Sequence, residues 1–373
     1  MMHLVYLANV PWDSFSQRPH MFVRWMHLRY QARVLWIDPY PSRFPQWSDT
    51  QRLRITQPTQ SAQSEEWLTV LKPLAIPFEP LPGSSYFNRL LWISIQSRIK
   101  DFLAHPDKLI VVAKVSELAL LVLQKNSETT SLYDAMDDAP AFFEGRSQLA
   151  AERRETRIAE VVSKIWVSSE QLQSKFATHA NKTELVLNAC DAELLPPFSE
   201  KGDFNTSSTA EPVLGYVGTL AAWFDWPWVI SLARENPNAC VRLIGPVFTK
   251  IPHSLPENIE LLPACSHQDA LEAMQKFDVG LIPFLLNQLT ESVDPIKYYE
   301  YRALGLPVIS SRFGQMRARE GDTHVFFTDT EISSSDLVQR ALAQKASAED
   351  VHTFRTTNDW STRFEIGQLS LPK

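Results

Sequence analysis

Apolar runs that alternate with longer amphipathic stretches constrain the fold of this chain more than any other feature. The first five runs cover 3–10, 32–39, 108–114, 130–136 and 164–169, and amphipathic stretches include 19–30, 88–104 and 148–163. Continuous apolar strands that alternate with helices are typical of a parallel sheet covered by helices on both faces. The first part of the chain therefore predicts a doubly wound α/β domain.

The alternation stops at 196–212, "PPFSEKGDFNTSSTAEP", where Pro, Ser, Thr and charged residues leave little that could pack. We interpret this stretch as a linker between domains. A second set of apolar runs follows at 213–219, 239–247, 259–263, 279–284, 307–311 and 324–328, with helices expected near 225–236, 266–276, 295–304 and 333–346. We predict two doubly wound, Rossmann-like domains that face a central cleft. Their ligands should bind at the carboxyl ends of the strands.

Composition excludes several classes of protein. The net charge of −7 gives no indication of a nucleic-acid partner, and no stretch approaches the roughly 20 apolar residues of a membrane span. Three cysteines, Cys190, Cys240 and Cys265, are too few and too scattered for a disulfide framework or a zinc site. The N-terminus matches a first strand rather than a signal peptide. We therefore expect a cytoplasmic protein without a cofactor.

The stretch 293–310, "VDPIKYYEYRALGLPVIS", carries the signals of a short helix followed by a buried strand. Asp294 can cap the helix, and Pro295 suits its first position. Gly305 suits a left-handed stop after Ala303 or Leu304. The free N–H groups of the first turn would then form a site for an anion.

Lys297 and Glu300 would lie on the same face of this helix. Lys297 adds a positive charge beside the first turn, while the Glu300 carboxylate can accept hydrogen bonds from a ribose diol. A phosphate group and a diol one helical turn apart match a nucleotide diphosphate. The alternative is an i, i+3 salt bridge on a solvated helix, worth about 0.2–0.5 kcal/mol.

The same stretch resembles the nucleotide-sugar segment "P-x-K-x-x-E-Y-x-A-x-G-x-P-V" of GT-B glycosyltransferases. Further segments resemble one bacterial branch of these enzymes in the same order; they cover 14–26, 132–138, 185–195, 214–247, 277–290 and 358–364. The branch includes enzymes of polysaccharide and cell-surface glycan synthesis, similar to teichuronic acid and xanthan-type glucuronosyl transferases. The resemblance implies a GT-B fold, with an acceptor domain at 1–195, a donor domain at 213–352, and a C-terminal helix within 353–373 that crosses back to the first domain.

The resemblance also implies a donor site for a UDP, GDP or dTDP sugar, bound as substrate without an obligatory metal ion. Lys297 would contact the diphosphate, and Glu300 the ribose. The implied donor-binding residues are Gly218, Thr219, Pro246, Asp294, Lys297 and Glu300. Gly218 and Thr219 would lie under the diphosphate or the sugar, and the loop after Pro246 would shape the pocket for the base.

Three acids follow a strand of the first domain in "LYDAMDDAPAFF". By resemblance to the xanthan-type enzymes, Asp137 is the base that takes a proton from the acceptor hydroxyl. The alternative is that Asp137 or Asp138 caps the helix expected at 139–143. Asp134 is expected to satisfy backbone groups or the region of Arg18 and His20. These acids lack a complementary ligand set, so we expect no metal site.

Arg18 and His20 start the first helix and could reach the acceptor or a donor phosphate. His20 could equally be a surface or capping residue, and Asp13 could hold Arg18 in place. His267 is expected beside a helix cap. Ser292 stands eight residues before Glu300, where many retaining relatives carry an acid, and "TLAAWFDW" supplies no Arg or Lys after the first glycine of the donor domain. These departures favour inversion.

Two other hypotheses for the function stay open: a nucleotide-sugar epimerase or hydrolase on the same fold, and a non-catalytic partner subunit. The acceptor is expected to carry a hydroxyl, as a small molecule, a glycan or a lipid-linked sugar. The stretch 86–103 mixes basic and apolar residues, which allows peripheral contact with an anionic membrane at the inner face. The alternative is a packed helix whose basic side chains extend into solvent.

Overall fold

The computed structural model describes residues 1–14, 16–41, 65–76, 84–198, 211–328 and 331–369. The chain divides into two compact units. The first is Met1–Leu187 together with the segment that begins at Phe364, and the second is Asn188–Arg363. The division thus falls at Leu187, whereas the sequence predicts an end of the first domain at 195. Most of the predicted linker at 196–212 lies outside the described residues.

The first unit contains a parallel sheet of seven strands in the order β3-β2-β1-β4-β5-β6-β7. The strands are β1 His3–Leu7, β2 Arg33–Ile37, β3 Leu68–Leu71, β4 Lys108–Val112, β5 Ser131–Ala135, β6 Lys164–Val167 and β7 Thr183–Leu185. Because both faces are covered, the central strands are apolar almost throughout. The order reverses between β1 and β4, which creates a topological switch point.

Helices of the first unit follow the strands. They are α1 Arg18–Tyr30, α2 Ser84–Leu91, α3 Ile93–Phe102, α4 Glu117–Lys125, α5 Gly145–Val161 and α6 Glu170–Lys175, with 3-10 turns at Ala139–Phe142 and Ala177–Lys182. The single helix predicted at 88–104 is two helices that meet at buried Trp92. The pattern does not predict α4, because its run of buried leucines lacks a polar face to reveal the helical period.

The second unit contains a parallel sheet of six strands in the order β10-β9-β8-β11-β12-β13. The strands are β8 Val213–Val217, β9 Cys240–Ile244, β10 Ile259–Leu262, β11 Val279–Ile282, β12 Val308–Ser310 and β13 Val325–Phe327. Each lies inside a predicted run. The order reverses between β8 and β11, so the loops after these strands flank the switch point.

The helices of the second unit are α7 Trp226–Glu235, α8 His267–Met274, α9 Ile296–Ala303, α10 Ser334–Ala343, α11 Ala348–Thr357 and α12 Trp360–Ile366. The last of them, α12, ends in the first unit. A 3-10 turn covers Gly314–Arg319. Serine side chains cap α8, α10 and α11. The C-terminal stretch thus holds two helices where the sequence predicts one within 353–373. No described helix is both long and apolar enough to cross a bilayer.

Candidate active site

Two glycines build the floor of the site in the second unit. Gly218 follows β8 and Gly245 follows β9, and each has a φ of +144°, which L side chains rarely adopt. A Cβ atom on Gly245 would lie 2.1 Å from the carbonyl oxygen of Gly218, and one on Gly218 would lie 2.5 Å from the Cε atom of Lys297. Glycine at both positions lets the two loops and the lysine pack in direct contact.

Lys297, in the first turn of α9, lies over this floor. Its ammonium is 5.4 Å from the ring centre of Tyr216 and 5.8 Å from that of Phe284. Burial lowers the pKa of Lys297, while the charge of Glu300 opposes the shift. Lys297 forms no hydrogen bond and no ion pair with any described residue. The aromatic rings therefore hold a cation whose donor capacity is unused.

Glu300 lies one helical turn further along α9. Burial raises the pKa of its carboxyl, and the charges of His267 and Lys297 oppose the shift. The nearest partner is His267, whose Nε2 atom is 3.9 Å from Oε1 of Glu300. The structure describes no hydrogen bond to this carboxylate and no ion pair between Glu300 and Lys297. The predicted alternative of an i, i+3 salt bridge is therefore wrong.

Asp294 takes a role that differs from the prediction. The helix begins at Ile296 with Pro295 in the N-cap position, and no side chain caps it. The buried Asp294 carboxylate instead accepts hydrogen bonds from the Asn188 N–H at 2.7 Å and the Tyr299 hydroxyl at 2.8 Å. Asp294 thus holds the chain in front of the helix through its hydrogen bonds with Asn188 and Tyr299, and it does not cap the helix. The left-handed stop at Gly305, with a φ of +75°, is confirmed.

Thr219 and Pro246 join the two loops above the floor. The Tyr216 hydroxyl donates to the Thr219 carbonyl at 2.8 Å, and the Leu220 N–H donates to the Pro246 carbonyl at 2.9 Å. The carbonyl groups of both residues are therefore used in holding the loops. Their predicted contacts with a donor stay predictions.

In the first unit, Asp134, Asp137 and Asp138 differ in the side chains with which they pair. Asp134 is buried in β5, and both of its carboxylate oxygens lie within 3.1 Å of the Arg18 guanidinium. Arg18 also donates to the carbonyl oxygens of Val186 and Leu187 at 2.6 and 3.2 Å. A buried pair with this many hydrogen bonds is structural, so Asp134 and Arg18 anchor the start of α1 to the sheet. The predicted link between Asp134 and Arg18 is confirmed.

Asp138 belongs to a second polar cluster. The Lys175 ammonium lies 2.6 Å from Asp138 and 2.5 Å from buried Glu155. Glu155 also accepts a hydrogen bond from the Tyr133 hydroxyl at 2.7 Å. Asp138 occupies the N-cap position of the 3-10 turn without a capping side-chain bond. The predicted capping role of Asp138 is therefore wrong, because Lys175 takes its carboxylate.

Asp137 differs from both neighbours. It is half-buried, and it makes no hydrogen bond or ion pair with a described residue. Burial raises the pKa of Asp137 to about 6; the charge of Arg18 lowers it and that of Asp138 raises it. An unpaired carboxylate with a pKa near neutrality has the properties of a general base.

His20 and Asp13 do not belong to this group. His20 is buried against Trp12 and Trp36; its Nδ1 atom accepts from the Gln17 N–H at 3.2 Å, and Nε2 lies 3.2 Å from the Trp12 carbonyl oxygen. Burial lowers the pKa of His20 to about 4, so it is neutral near pH 7. Asp13 is exposed beside Lys72, 3.4 Å away. The predicted contact between Asp13 and Arg18 is therefore wrong, and His20 is a packed residue.

Several functional features carry no clear signal in the sequence. Tyr216 and Phe284 are inside apolar strand patterns, and their role beside Lys297 depends on the fold. His267 comes close to Glu300 because α8 begins at the same edge of the sheet. Gly245, in "LIGPV", repeats the strand–glycine pattern of Gly218 and could have been identified from it. Among the described residues, no three His, Cys, Asp or Glu side chains form a metal-binding group.

Comparisons with known proteins agree with this architecture. No family model matches the chain. TuaH of Bacillus subtilis, a protein named as a glycosyltransferase of teichuronic acid biosynthesis, is 25% identical over 259 residues, which cover 62% of this chain and 64% of TuaH. The match thus spans less than two thirds of that relative.

Solved structures match over nearly the whole chain. HepE of Anabaena in complex with UDP-glucose has a TM-score of 0.66 at 14% identity and covers 99% of both chains. Sucrose-phosphate synthase of Thermosynechococcus elongatus also has a TM-score of 0.66, at 15% identity, and covers 99% of this chain and 98% of that one. These similarities confirm the fold predicted from the sequence: the chain has the GT-B fold of glycosyltransferases, with two Rossmann-like domains.

Proposed function

We propose that this protein is a glycosyltransferase that moves a sugar from a nucleotide-diphosphate donor to a hydroxyl acceptor in bacterial polysaccharide or cell-surface glycan synthesis. The observation that carries the proposal is the state of Lys297 and Glu300. Burial disfavours the charges of both residues. Lys297 forms no hydrogen bond or ion pair with a described residue, and the Glu300 carboxylate has only His267 nearby, 3.9 Å away. A ligand with an anionic group and a diol would supply the interactions that these side chains lack.

In this proposal the donor lies at the switch point between β8 and β11. The diphosphate contacts Lys297 and the first-turn N–H groups of α9, and Glu300 accepts hydrogen bonds from the ribose. Gly218 allows the diphosphate to approach the backbone. The HepE complex makes UDP the first nucleotide to test.

For the chemical step we propose Asp137 as the base. The acceptor oxygen attacks the anomeric carbon while its proton passes to the Asp137 carboxylate. The bond from the anomeric carbon to the phosphate oxygen breaks, and its electron pair leaves with the diphosphate. Lys297 and the end of α9 stabilise that negative charge. Direct attack of this kind inverts the anomeric configuration.

A turnover assay tests the proposal. Wild type, Asp137→Asn and the exposed control Glu152→Gln are incubated with UDP, GDP and dTDP sugars and a panel of soluble and lipid-linked glycans. We expect transfer by wild type and the control, and loss of transfer by Asp137→Asn with donor binding retained. Sugar release without an acceptor would indicate a hydrolase instead. Donor binding without turnover by any variant would indicate a non-catalytic subunit, and retention of the anomeric configuration would contradict direct attack.

The proposal extends to the acceptor and to the place where the protein acts. The acceptor is a small molecule, a glycan or a lipid-linked sugar, and the protein acts in the cytoplasm, at the inner face of the membrane.

A further inference from the structure

Helix α2 and the start of α3 expose an apolar face on the first unit. Its members are the large side chains of Tyr86, Phe87, Leu90, Leu91 and Ile93. Tyr86 is 68% exposed and Ile93 is 62% exposed. The Trp92 N–H donates to the Asn88 carbonyl at 3.0 Å, and the Gln96 N–H donates to the Trp92 carbonyl at 2.8 Å. Helical hydrogen bonding therefore continues through the junction, and the apolar face extends over successive turns.

The opposite side of these helices fixes the orientation of the apolar face. Asn88 is fully buried and exchanges two hydrogen bonds with the backbone of Ile76, at 2.8 and 3.3 Å. Trp92 is also buried; its indole N–H donates to the Leu74 carbonyl at 3.0 Å, and its ring centre is 5.1 Å from that of Tyr40. The helix cannot rotate its exposed side inward without breaking these bonds. A contiguous exposed apolar surface of this kind indicates an interaction site.

The charge of the segment identifies the partner. Residues 84–100 include three basic residues and no acidic one, and Asp101 follows. Arg89 is paired with Glu117 at 2.7 Å, so the basic charge beside the apolar face comes from the exposed Arg98 and Lys100. Aromatic and aliphatic side chains next to basic ones are typical of helices that lie on anionic membranes. In a two-fold contact this face would instead meet a copy of itself with the same excess of basic residues, and like charges disfavour that pairing.

We infer that the apolar face docks on an anionic lipid bilayer. The face inserts its aromatic and aliphatic side chains among the acyl chains, while Arg98 and Lys100 contact lipid phosphates. Tyr40, which packs on Trp92, also lines a cavity with Lys114 at the carboxyl ends of β1, β2 and β4. Docking would therefore place this end of the sheet near the membrane surface. Binding to lipid requires no glycosyl transfer, so it can be tested separately from the proposed function.

Vesicle flotation tests the inference. Vesicles of phosphatidylcholine, with or without phosphatidylglycerol, are mixed with wild type and with a variant that combines Phe87→Ser, Leu90→Ser and Ile93→Ser. The matched control combines Leu28→Ser, Leu149→Ser and Val161→Ser, three apolar positions of the first unit that are each at least half exposed. Circular dichroism checks that each variant is folded. A further variant, Arg98→Gln with Lys100→Gln, separates the electrostatic from the apolar contribution.

We expect wild type and the control to float with the anionic vesicles, and the Phe87, Leu90 and Ile93 variant to lose more than about tenfold in affinity. The Arg98 and Lys100 variant should bind more weakly at low salt and lose most of its salt dependence. Equal binding by the apolar variant and wild type would overturn the inference, as would a wild type that binds no vesicles. A wild-type dimer in sedimentation velocity that the apolar variant dissociates, without vesicle binding, would assign the face to self-association instead.

Discussion

At the scale of single residues, Asp134, Asp137 and Asp138 differ in the side chains that contact them. Arg18 holds Asp134, Lys175 holds Asp138, and Asp137 has no partner among the described residues. The sequence predicts the cluster and the link between Asp134 and Arg18, but not the pair of Asp138 with Lys175, which is far away in the chain. It predicts Lys297 and Glu300 from helix spacing, and it misses the rings around Lys297 for the same reason.

Asp137 should lower the stability of the fold when it ionises. Its pKa is raised to about 6 in the folded chain, so the stability conferred by the neutral carboxyl is present at low pH and lost as the pH rises through 6. Since the side chain is half-exposed, we expect Asp137→Asn to gain only about 1 kcal/mol at pH 8, and nothing at pH 4. Urea denaturation at the two pH values measures this. A variant less stable than wild type at pH 8 would contradict the unpaired state of Asp137.

His20 should show the opposite dependence. Its folded pKa of about 4 is below the usual 6.5, so only the unfolded chain binds the proton between these values, and wild-type stability falls as the pH drops through that window. His20→Gln removes the titration. The stability advantage of wild type over the variant should shrink by up to about 3 kcal/mol between pH 7 and pH 4. A pH-independent difference in urea denaturation would show that His20 titrates normally.

At the scale of elements, the glycine loop after β8 should control donor binding. A Cβ atom at position 218 would displace the end of the Lys297 side chain, which can move. We expect Gly218→Ala to weaken nucleotide binding about tenfold, since one charge-assisted contact is worth about 1.5–3 kcal/mol. The matched control is Gly145→Ala, where φ is also positive, at +56°, and a Cβ atom would meet open space. Equal nucleotide affinity in the two variants, measured by calorimetry, would refute the contact between Gly218 and the lysine.

Helices show where the sequence pattern is sufficient and where it fails. The signals around Pro295 and Gly305 locate α9 to within a residue, because helix ends have local causes. The stretch 86–103 has apolar residues on more than one side of the helix, so its pattern cannot predict which side is buried. Only the contacts of Asn88 and Trp92 decide this.

At the scale of the whole molecule, the order of the motifs along the chain predicts the fold correctly, while the contacts divide the chain at Leu187 and not at 195. Residues 188–195 look like the end of the first domain, yet Asn188 bonds to Asp294 and Cys190 bonds to Asn358 within the second unit. These contacts join residues more than 100 positions apart, and local composition carries no signal of them. The likeness to HepE extends over both units and supports the fold of each.

Calorimetric titration with nucleotide diphosphates tests the donor site most directly. UDP, GDP, dTDP and ADP are titrated into wild type, Lys297→Met, Glu300→Gln and the exposed control Lys276→Met. We predict that one nucleotide binds wild type and the control equally, and that each site variant loses roughly tenfold to a hundredfold in affinity. If no nucleotide binds, or if Lys297→Met and Glu300→Gln bind like wild type, then α9 is not a donor site and the proposed transferase loses its main physical support.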